Sequence, residues 1–325
     1  MGRRSFDQFF HSAPPQVDVG KIRQEWLALQ GGVPPRYQID ERHLPMPIWA
    51  RRPFTESGEQ AWQCLSQDVP TMDPARAFCI YIHVPFCDRR CSFCDCYSFR
   101  LGSHREQHID GYLDLLAQEM RLWSALGTLS SRPVSTVHFG GGTPTFLGVE
   151  PFTRLVGLCR EFFASGPDTE WALESTVSEL APEMVTCLKE LGFTRLHLGV
   201  QTLQDEVREA LNRRATAAAV LSTIRDAVNR GWIVSVDLIY GLPGQTLDGL
   251  LSDIRSLHAA GINGFSLYEL QLSSRNRAFI EKHGLRDRDR QVNYFLAQAA
   301  SHELRALGYM PWSVTRPAKC MGKST

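Results

Sequence analysis

The strongest constraint on the fold of this chain is a regular alternation of short apolar runs with longer helical segments. Six apolar runs occur between residues 78 and 270, and a segment with helical periodicity follows each one. Repeats of this kind predict a parallel sheet whose strands are connected by helices. The expected strands are Phe78–Val84, Val134–Phe139, Trp171–Glu174, Arg195–Val200, Ile233–Ile239 and Gly264–Leu270, and the expected helices are Glu106–Leu126, Pro151–Phe163, Pro182–Leu191, Leu203–Arg230, Thr246–Ala260 and Asp287–Leu307.

The first 75 residues differ from this pattern because they are rich in proline. Proline lacks a backbone N–H and interrupts helices, so we expect an irregular extension in which only Val19–Leu29 is helical. The predicted organisation is an N-terminal extension (1–75), an α/β core (76–310) and a C-terminal tail (311–325).

Charge and hydropathy indicate whether the chain has a nucleic-acid or a membrane partner. Lys and Arg number 35, as do Asp and Glu, so no net charge attracts nucleic acid or an anionic membrane. The longest apolar runs are far shorter than the ~20 residues of a membrane-spanning helix. No apolar segment follows Arg3 and Arg4, so we expect no secretory signal. We therefore predict a cytoplasmic protein with neither a nucleic-acid nor a membrane partner.

Cysteines are concentrated in one short segment. Four of the nine lie between residues 87 and 96, with Cys87, Cys91 and Cys94 in a Cys-x3-Cys-x2-Cys pattern. Clustered thiols in a chain without a secretory signal indicate metal binding in a reducing compartment. Three thiolates can hold three irons of a [4Fe–4S] cluster and leave the fourth open. A zinc site completed by His83 or Cys96 is the alternative.

Polar residues follow the predicted strands. The carboxyl ends of parallel strands form the edge where ligands bind in α/β folds. Five independent polar features at this edge predict a binding site there. They are the cysteine segment, the glycine run Gly140–Gly142, Glu174, Gln201 and Asp237.

Four motifs together resemble a known family. They are Tyr-Ile-His-Val-Pro-Phe-Cys (81–87), Gly-Gly-Gly-Thr-Pro-Thr (140–145), Leu-Gly-Val-Gln (198–201) and Asp-Leu-Ile-Tyr-Gly-Leu-Pro (237–243). With the cysteine spacing, this set resembles the radical S-adenosylmethionine (SAM) superfamily, and within it the oxygen-independent coproporphyrinogen III oxidase (HemN)-like family. The resemblance implies a partial (β/α)6 barrel with two cofactors, a [4Fe–4S] cluster and SAM.

The resemblance also implies a chemistry and a set of site residues. SAM chelates the open iron, one electron cleaves it to a 5′-deoxyadenosyl radical, and this radical abstracts a hydrogen from the substrate. The implied cluster ligands are Cys87, Cys91 and Cys94, and Cys96 is a thiol that serves the substrate or a small buried residue. The implied SAM contacts are Tyr81, Phe93, Gly141, Gly142, Thr143, Glu174, Gln201, Arg213, Asp237 and Gln271.

Other interpretations remain for several of these residues. The glycine run is also typical of a tight turn, and Arg213 is also typical of a solvated helix charge. The rings of Tyr81 and Phe93 suit ordinary core packing.

Fewer features indicate which member of this family the chain resembles. Four features resemble positions of the oxidases, namely Cys96, Arg213, Gln271 and Pro35-Arg36-Tyr37. Three features depart from the oxidases, namely Asp95, the Ser-Thr-Val-Ser that follows Glu174, and the end of the chain soon after Tyr309. The resemblance implies a C-terminal substrate domain beyond Tyr309, so we expect that this domain has been truncated. We predict oxidative decarboxylation of a porphyrinogen in heme biosynthesis, with flavodoxin or ferredoxin as the electron donor. The alternatives are a methyltransferase, a cyclopropanase or a heme-processing enzyme, and a heme chaperone without turnover.

Substrate recognition is predicted from charge. A tetracarboxylate porphyrinogen needs several basic side chains at the mouth of the barrel. The available residues are Arg51, Arg52, Arg89, Arg90 and Arg100.

Overall fold

The structure, a computed structural model, describes residues 17–31, 57–285, 290–315 and 318–323. Contacts divide the described residues into two units. The first unit comprises 57–90 and 96–197, and the second unit comprises 17–31, 91–95 and the described residues from 198 onward.

Helices and strands alternate from residue 78 to residue 269. The helices are α1 (Val19–Gly31), α2 (Gly58–Asp68), α3 (Arg105–Ser124), α4 (Val149–Phe162), α5 (Pro182–Glu190), α6 (Asp205–Ala210), α7 (Ala217–Asn229), α8 (Leu247–Ala259), α9 (Arg277–Lys282) and α10 (Arg290–Ala306). The strands are β1 (Phe78–Val84), β2 (Phe86–Cys87), β3 (Phe99–Arg100), β4 (Val134–Gly141), β5 (Glu170–Ser175), β6 (Arg195–Gln201), β7 (Ile233–Tyr240), β8 (Gly264–Glu269), β9 (Tyr309–Thr315) and β10 (Ala318–Lys323).

The six predicted strands are β1, β4, β5, β6, β7 and β8, and they form a parallel sheet. In the first unit β1 pairs with β4 and β4 pairs with β5, both in parallel. In the second unit β7 pairs in parallel with β8. The predicted α/β class is therefore confirmed, with strand ends displaced from the prediction by one or two residues at most.

Each unit buries its own apolar side chains. In the first unit the rings of Phe139, Phe152, Trp171 and Phe193 pack on one another with centroids 5.4 to 6.2 Å apart. Burial of such rings is among the largest favourable contributions to folding. Apolar strand residues such as Phe139 and Trp171 therefore belong to the core of the first unit.

The prediction of one helix over Leu203–Arg230 was wrong. The segment forms two helices, α6 and α7, separated by residues 211–216. Asn212 after α6 adopts a left-handed φ of +60°, and the Thr216 hydroxyl caps α7 by accepting a hydrogen bond from the Ala219 N–H. Asn after a helix and Thr before one are common terminators. Both signals are present in the sequence, and the apolar periodicity obscured them.

The expectation that only Val19–Leu29 is helical within residues 1–75 was also wrong. Helix α2 lies in this region. Ser57 and Gln60 form a capping box, in which each side chain bonds the backbone N–H of the other residue. The Pro-Arg-Tyr segment 35–37, with Arg51 and Arg52, lies outside the described residues.

Two strands were not predicted at the C-terminus. Strand β10 pairs antiparallel with both β8 and β9, so residues 309–323 extend the sheet of the second unit. None of the described helices is long and apolar enough to span a bilayer.

Candidate functional site

The glycine-rich segment is fastened to the first cysteine in the first unit. The backbone N–H of Gly142 donates to the Val84 carbonyl at 2.7 Å, and that of Thr143 donates to the Phe86 carbonyl at 2.8 Å. The Thr143 hydroxyl then lies 3.6 Å from the Cys87 sulfur. Two backbone bonds therefore fix the position of Cys87 relative to the turn after β4.

The glycines themselves are required by neighbouring protein groups. A Cβ atom on Gly140 would lie 2.7 Å from the Glu174 carboxylate, and one on Gly142 would lie 2.5 Å from the Phe86 carbonyl oxygen. Neither position has room for a side chain, so the run packs against the protein at these points. Contact of Gly141, Gly142 and Thr143 with SAM stays a prediction.

The Glu174 carboxylate is held by two protein donors. His138 Nε2 lies 3.1 Å from Oε1, and the Gly141 N–H donates to Oε2 at 3.3 Å. Burial raises the pKa of Glu174, and the hydrogen bond and charge of His138, the charge of His197 and the Gly141 amide outweigh it, so the pKa is lowered overall. The carboxylate is consequently ionised at neutral pH and aimed before any ligand binds.

Two histidines arrange the aromatic residues beside this carboxylate. His83 Nε2 donates to the Tyr97 carbonyl at 3.0 Å, which leaves Nδ1 to accept from the Tyr81 hydroxyl at 3.3 Å. The Tyr81 ring stacks on His138 with centroids 5.8 Å apart, yet Tyr81 remains 55% exposed. Partial burial, with the charge of Glu174, raises the pKa of Tyr81. Its exposed ring suits a ligand contact, as predicted from the resemblance.

The second and third cysteines lie in the second unit. The Cys94 N–H donates to the Cys91 carbonyl at 3.1 Å, which closes a turn between the two thiols. The Asn276 side chain donates to the Phe93 carbonyl at 2.9 Å. The Phe93 ring packs against an apolar cluster that includes Leu211. The packing role considered for Phe93 is therefore present, and an adenine contact stays a prediction.

Arg213 lies beside Cys91, and the side chains of both Arg213 and Gln201 lie close to Gly199. The Arg213 guanidinium lies 3.4 Å from the Cys91 sulfur through Nη1 and donates to the Gly199 carbonyl through Nη2. Gln201 ends β6 with a left-handed φ of +64° and is 6% exposed. Its Oε1 atom accepts no hydrogen bond within the described part of the chain. A buried acceptor without a donor is rare and fits a ligand hydroxyl or ammonium group.

Asp237 and Gln271 have other surroundings. Asp237 lies within β7 opposite Ser266 of β8, before the strand end. The Gln271 amide donates to the Glu269 carbonyl at 3.0 Å, and the Gln271 carbonyl accepts from Asn276 at 2.7 Å. These bonds order the loop after β8, and both SAM contacts stay predictions.

Sequence reasoning missed three residues of the site. They are His138, Arg208 and Asn276. His83 was considered only as a zinc ligand, and the structure shows its ring bonded to Tyr81 and Tyr97. His138 had a usable signal, because it shares a strand face with Gly140 two residues later. Arg208 and Asn276 act through contacts distant in sequence from the motifs, and no local pattern marks them.

The chemistry of these groups fits the implied cofactors. Cys87, Cys91 and Cys94 are partly buried and form no disulfide, and thiolates are the usual ligands of iron–sulfur clusters. SAM carries a carboxylate, an ammonium group and a ribose diol, which suit a guanidinium, a carboxylate and an amide oxygen respectively. Among the described residues no three His, Cys, Asp or Glu side chains are gathered closely enough to hold one metal ion. The assignment of the three cysteines to a cluster therefore stays a prediction.

Comparison with known proteins places the chain in a family. The family model "Radical SAM superfamily" matches residues 81–257. The oxygen-independent coproporphyrinogen III oxidase of Salmonella typhimurium is 37% identical over 174 residues, covering 53% of this chain and 37% of that protein. The heme chaperone HemW of Mycobacterium tuberculosis is 33% identical over 198 residues, covering 61% and 50%. The solved structure of coproporphyrinogen III oxidase (HemN) from Escherichia coli gives a TM-score of 0.71 at 28% identity, covering 80% of this chain and 58% of that one.

The chain therefore belongs to the radical SAM superfamily and, within it, to the HemN-like family. Its cofactors are those of the superfamily, a [4Fe–4S] cluster and SAM. The predicted barrel type is confirmed by the match to HemN. The chain spans 37% and 50% of the lengths of the two curated relatives.

Proposed function

We propose that this protein is a radical SAM enzyme that acts on a porphyrinogen by oxidative decarboxylation of propionate side chains. When bound, the cluster and SAM supply one-electron cleavage of a carbon–sulfur bond and abstraction of a substrate hydrogen. The protein contributes binding, orientation and exclusion of water. Electrons come from a low-potential protein donor such as flavodoxin or ferredoxin.

The surroundings of five predicted site residues support a role for each of them. Cys87, Cys91 and Cys94 hold the cluster. Glu174 supplies a fixed negative charge for the SAM ammonium group, since its pKa is lowered. Arg213 supplies a cation for the SAM carboxylate through its planar fork.

The observation that carries the SAM assignment is the unsatisfied amide oxygen of Gln201. This buried acceptor lies in the same unit as Arg213, whose guanidinium lies 3.4 Å from the Cys91 thiol. Leaving a buried polar group unpaired costs about 1–3 kcal/mol. A hydroxylated or cationic ligand beside a cluster cysteine removes that cost, and SAM has such groups.

Charge and reactive side chains support the substrate class. Arg90 and Arg100 are exposed in the segment around the cysteines, and Arg89 is partly exposed. Guanidinium groups bind carboxylates bidentately, and a coproporphyrinogen carries four of them. Cys96 is exposed and forms no disulfide, and it has the position of the Cys-x-Cys ending by which the chain resembles the oxidases.

A heme chaperone is the second candidate. HemW matches a larger share of this chain, 61%, than the oxidase does at 53%. A chaperone binds heme and shows no substrate turnover. Methyl transfer, cyclopropanation and heme degradation remain alternatives within the same chemistry, because all use the same cofactors and differ only in the substrate presented to them.

The first experiment tests SAM cleavage. The protein is reconstituted anaerobically with iron and sulfide, then mixed with SAM and dithionite, and 5′-deoxyadenosine is measured by mass spectrometry. We expect stoichiometric or greater product, with none from Cys91→Ser. Cys64→Ser, which removes an exposed thiol of α2, is the matched control and retains activity. A fully active Cys91→Ser protein contradicts the proposal.

The second experiment identifies the substrate. The reconstituted protein is incubated with coproporphyrinogen III, SAM and a flavodoxin system. Vinyl products and released carbon dioxide support the oxidase assignment. Heme binding without 5′-deoxyadenosine formation supports the chaperone, and a methylated or ring-opened product supports the remaining alternatives.

A further inference from the structure

Gln201 has a conformation that its surroundings must maintain. Its φ of +64° lies in the left-handed region, which costs a residue with a side chain about 1 kcal/mol or more. The same residue buries an amide oxygen that no described residue donates to. Strain and an unsatisfied acceptor at one residue are typical of functional sites.

One buried guanidinium fixes the backbone on both sides of Gln201. Arg208 Nη1 donates to the Val200 carbonyl at 2.8 Å and to the Thr202 carbonyl at 2.7 Å. Hydrogen bonds from a charged donor are shorter and stronger than neutral ones. Because both flanking peptides are bonded to the same group, the left-handed turn at Gln201 cannot relax without breaking charge-assisted bonds.

The same side chain reaches the loop that carries Arg213. Arg208 Nε donates to the Ala215 carbonyl at 2.7 Å. The backbone carbonyl of Arg208 accepts from the Arg213 N–H at 2.9 Å. Asn212, just before Arg213, is also left-handed, with φ of +60°. Arg208 therefore bonds to both segments that carry a predicted SAM contact.

Arg208 keeps its charge in this environment. It is 3% exposed, and burial, together with the charge of Arg213, lowers its pKa to about 10. The guanidinium is still protonated at neutral pH. Nearby, the Asp253 carboxylate accepts from the Thr202 hydroxyl at 2.7 Å, which fixes the residue after Gln201 from a second direction.

We propose that Arg208 is a positioning residue for SAM, because it holds Gln201 and the Arg213 loop in the arrangement that binds the ligand. This inference rests on the proposed function, since it takes Gln201 and Arg213 as SAM contacts. Arg208 acts through the backbone of these two segments, because its guanidinium donates to the carbonyls of Val200, Thr202 and Ala215.

The test compares two buried arginines. In Arg208→Lys the charge stays but the fork that bonds three carbonyls is lost. Arg132→Lys is the matched control, because Arg132 is 4% exposed and donates to the Arg76 carbonyl at 2.7 and 3.2 Å in the first unit. The Kd of SAM is measured by equilibrium dialysis on the reconstituted full chain, and Tm is measured alongside.

We expect Arg208→Lys to raise the SAM Kd about tenfold or more, and Arg132→Lys to change it by less than about twofold at a comparable loss of Tm. The inference is overturned by an unchanged Kd in Arg208→Lys, or by an equal rise in Arg132→Lys. If Arg208→Lys fails to fold, the comparison is made with Arg208→Gln, whose amide keeps two donors. Hydrogen exchange of the wild type adds a second readout: SAM must protect residues 200–202 and 211–216 together, and protection of only one segment overturns the inference.

Two further variants separate this inference from the proposed function. Gln201→Ala and Arg213→Ala each remove a predicted SAM contact. If both leave the SAM Kd unchanged, the assigned contacts are wrong and the inference fails with them. If both weaken binding while Arg208→Lys does not, the proposed function survives and only the role of Arg208 is wrong.

Discussion

Glu174 in the first unit and Gln201 in the second are both predicted SAM contacts at strand ends, and their surroundings differ. The Glu174 carboxylate already has two protein donors, His138 and the Gly141 N–H, in an unstrained strand. The Gln201 amide oxygen has no donor among the described residues, and its backbone is strained. The first residue is preorganised by hydrogen bonds of its own side chain, whereas the backbone around the second is fixed by Arg208, which bonds the Val200 and Thr202 carbonyls.

Because of this difference, replacing Glu174 and replacing Gln201 should have opposite effects on stability, although both should weaken ligand binding. Replacing Glu174 leaves its protein partners without an acceptor, so stability and ligand binding fall together. Replacing Gln201 removes a group that the folded protein does not satisfy, so stability and ligand binding change in opposite directions. Such a trade-off is typical of binding sites.

The largest effect is expected from the predicted cluster cysteines. Cys87→Ser in the first unit and Cys94→Ser in the second each remove one predicted cluster ligand. We expect each variant to lower the rate of SAM cleavage by about 10³-fold or more and to lower the amount of iron bound per chain. Iron assay and electron paramagnetic resonance measure the cluster directly. Retention of a full cluster in either variant contradicts the ligand assignment.

Glu174→Gln tests the residue whose carboxylate already has two protein donors. The variant removes the negative charge while keeping the size of the side chain. We expect the SAM Kd to rise about 10- to 100-fold and Tm to fall, since His138 and Gly141 lose their charged acceptor. Glu170→Gln is the control in the same strand, because Glu170 pairs with Arg195 at 2.8 Å at the other end of β5. Equal effects of the two substitutions on Kd exclude a specific role for Glu174.

Gln201→Met tests the residue whose amide oxygen has no donor among the described residues. Methionine matches glutamine in length and has no buried oxygen to satisfy. We expect the ligand-free protein to become more stable by about 1 kcal/mol, while the SAM Kd rises about tenfold. Denaturant unfolding and equilibrium dialysis measure the two quantities. A loss of stability in the ligand-free variant shows that Gln201 has a partner beyond the described residues.

The smallest effect is expected from His138, which tunes the charge of Glu174. The His138 hydrogen bond and charge lower the pKa of Glu174, so His138→Phe raises it. A carboxylate with a lowered folded pKa contributes stability above its unfolded pKa of about 4.3, and this is lost as pH falls through the folded value. We therefore expect the acidic limb of SAM binding to move to higher pH in His138→Phe.

A second variant divides the two contributions of His138. His138→Gln keeps a hydrogen-bond donor without the positive charge, so its acidic limb should lie between those of the wild type and His138→Phe. The SAM Kd is measured as a function of pH for all three proteins. Identical profiles contradict the coupling between His138 and Glu174.

Local sequence patterns account for the elements that were predicted correctly. The apolar runs identified all six parallel strands, because strands of a helix-covered parallel sheet are rich in apolar residues. The cysteine spacing and the four motifs led to the family, which the comparisons confirmed. The same periodicity misled at Leu203–Arg230, where Asn212 and Thr216 end one helix and begin the next.

The sequence by itself determined which polar residue lies at the end of which strand. It could do so because strand and polar residue are neighbours along the chain. Only the tertiary structure decided that Glu174 is satisfied by His138, that Gly140 has no room for a side chain, and that Arg208 bonds both segments around Gln201 and Arg213. The physical reason is that the satisfaction of a buried polar group depends on which distant residues the fold brings within about 3 Å, and spacing along the sequence does not encode that distance.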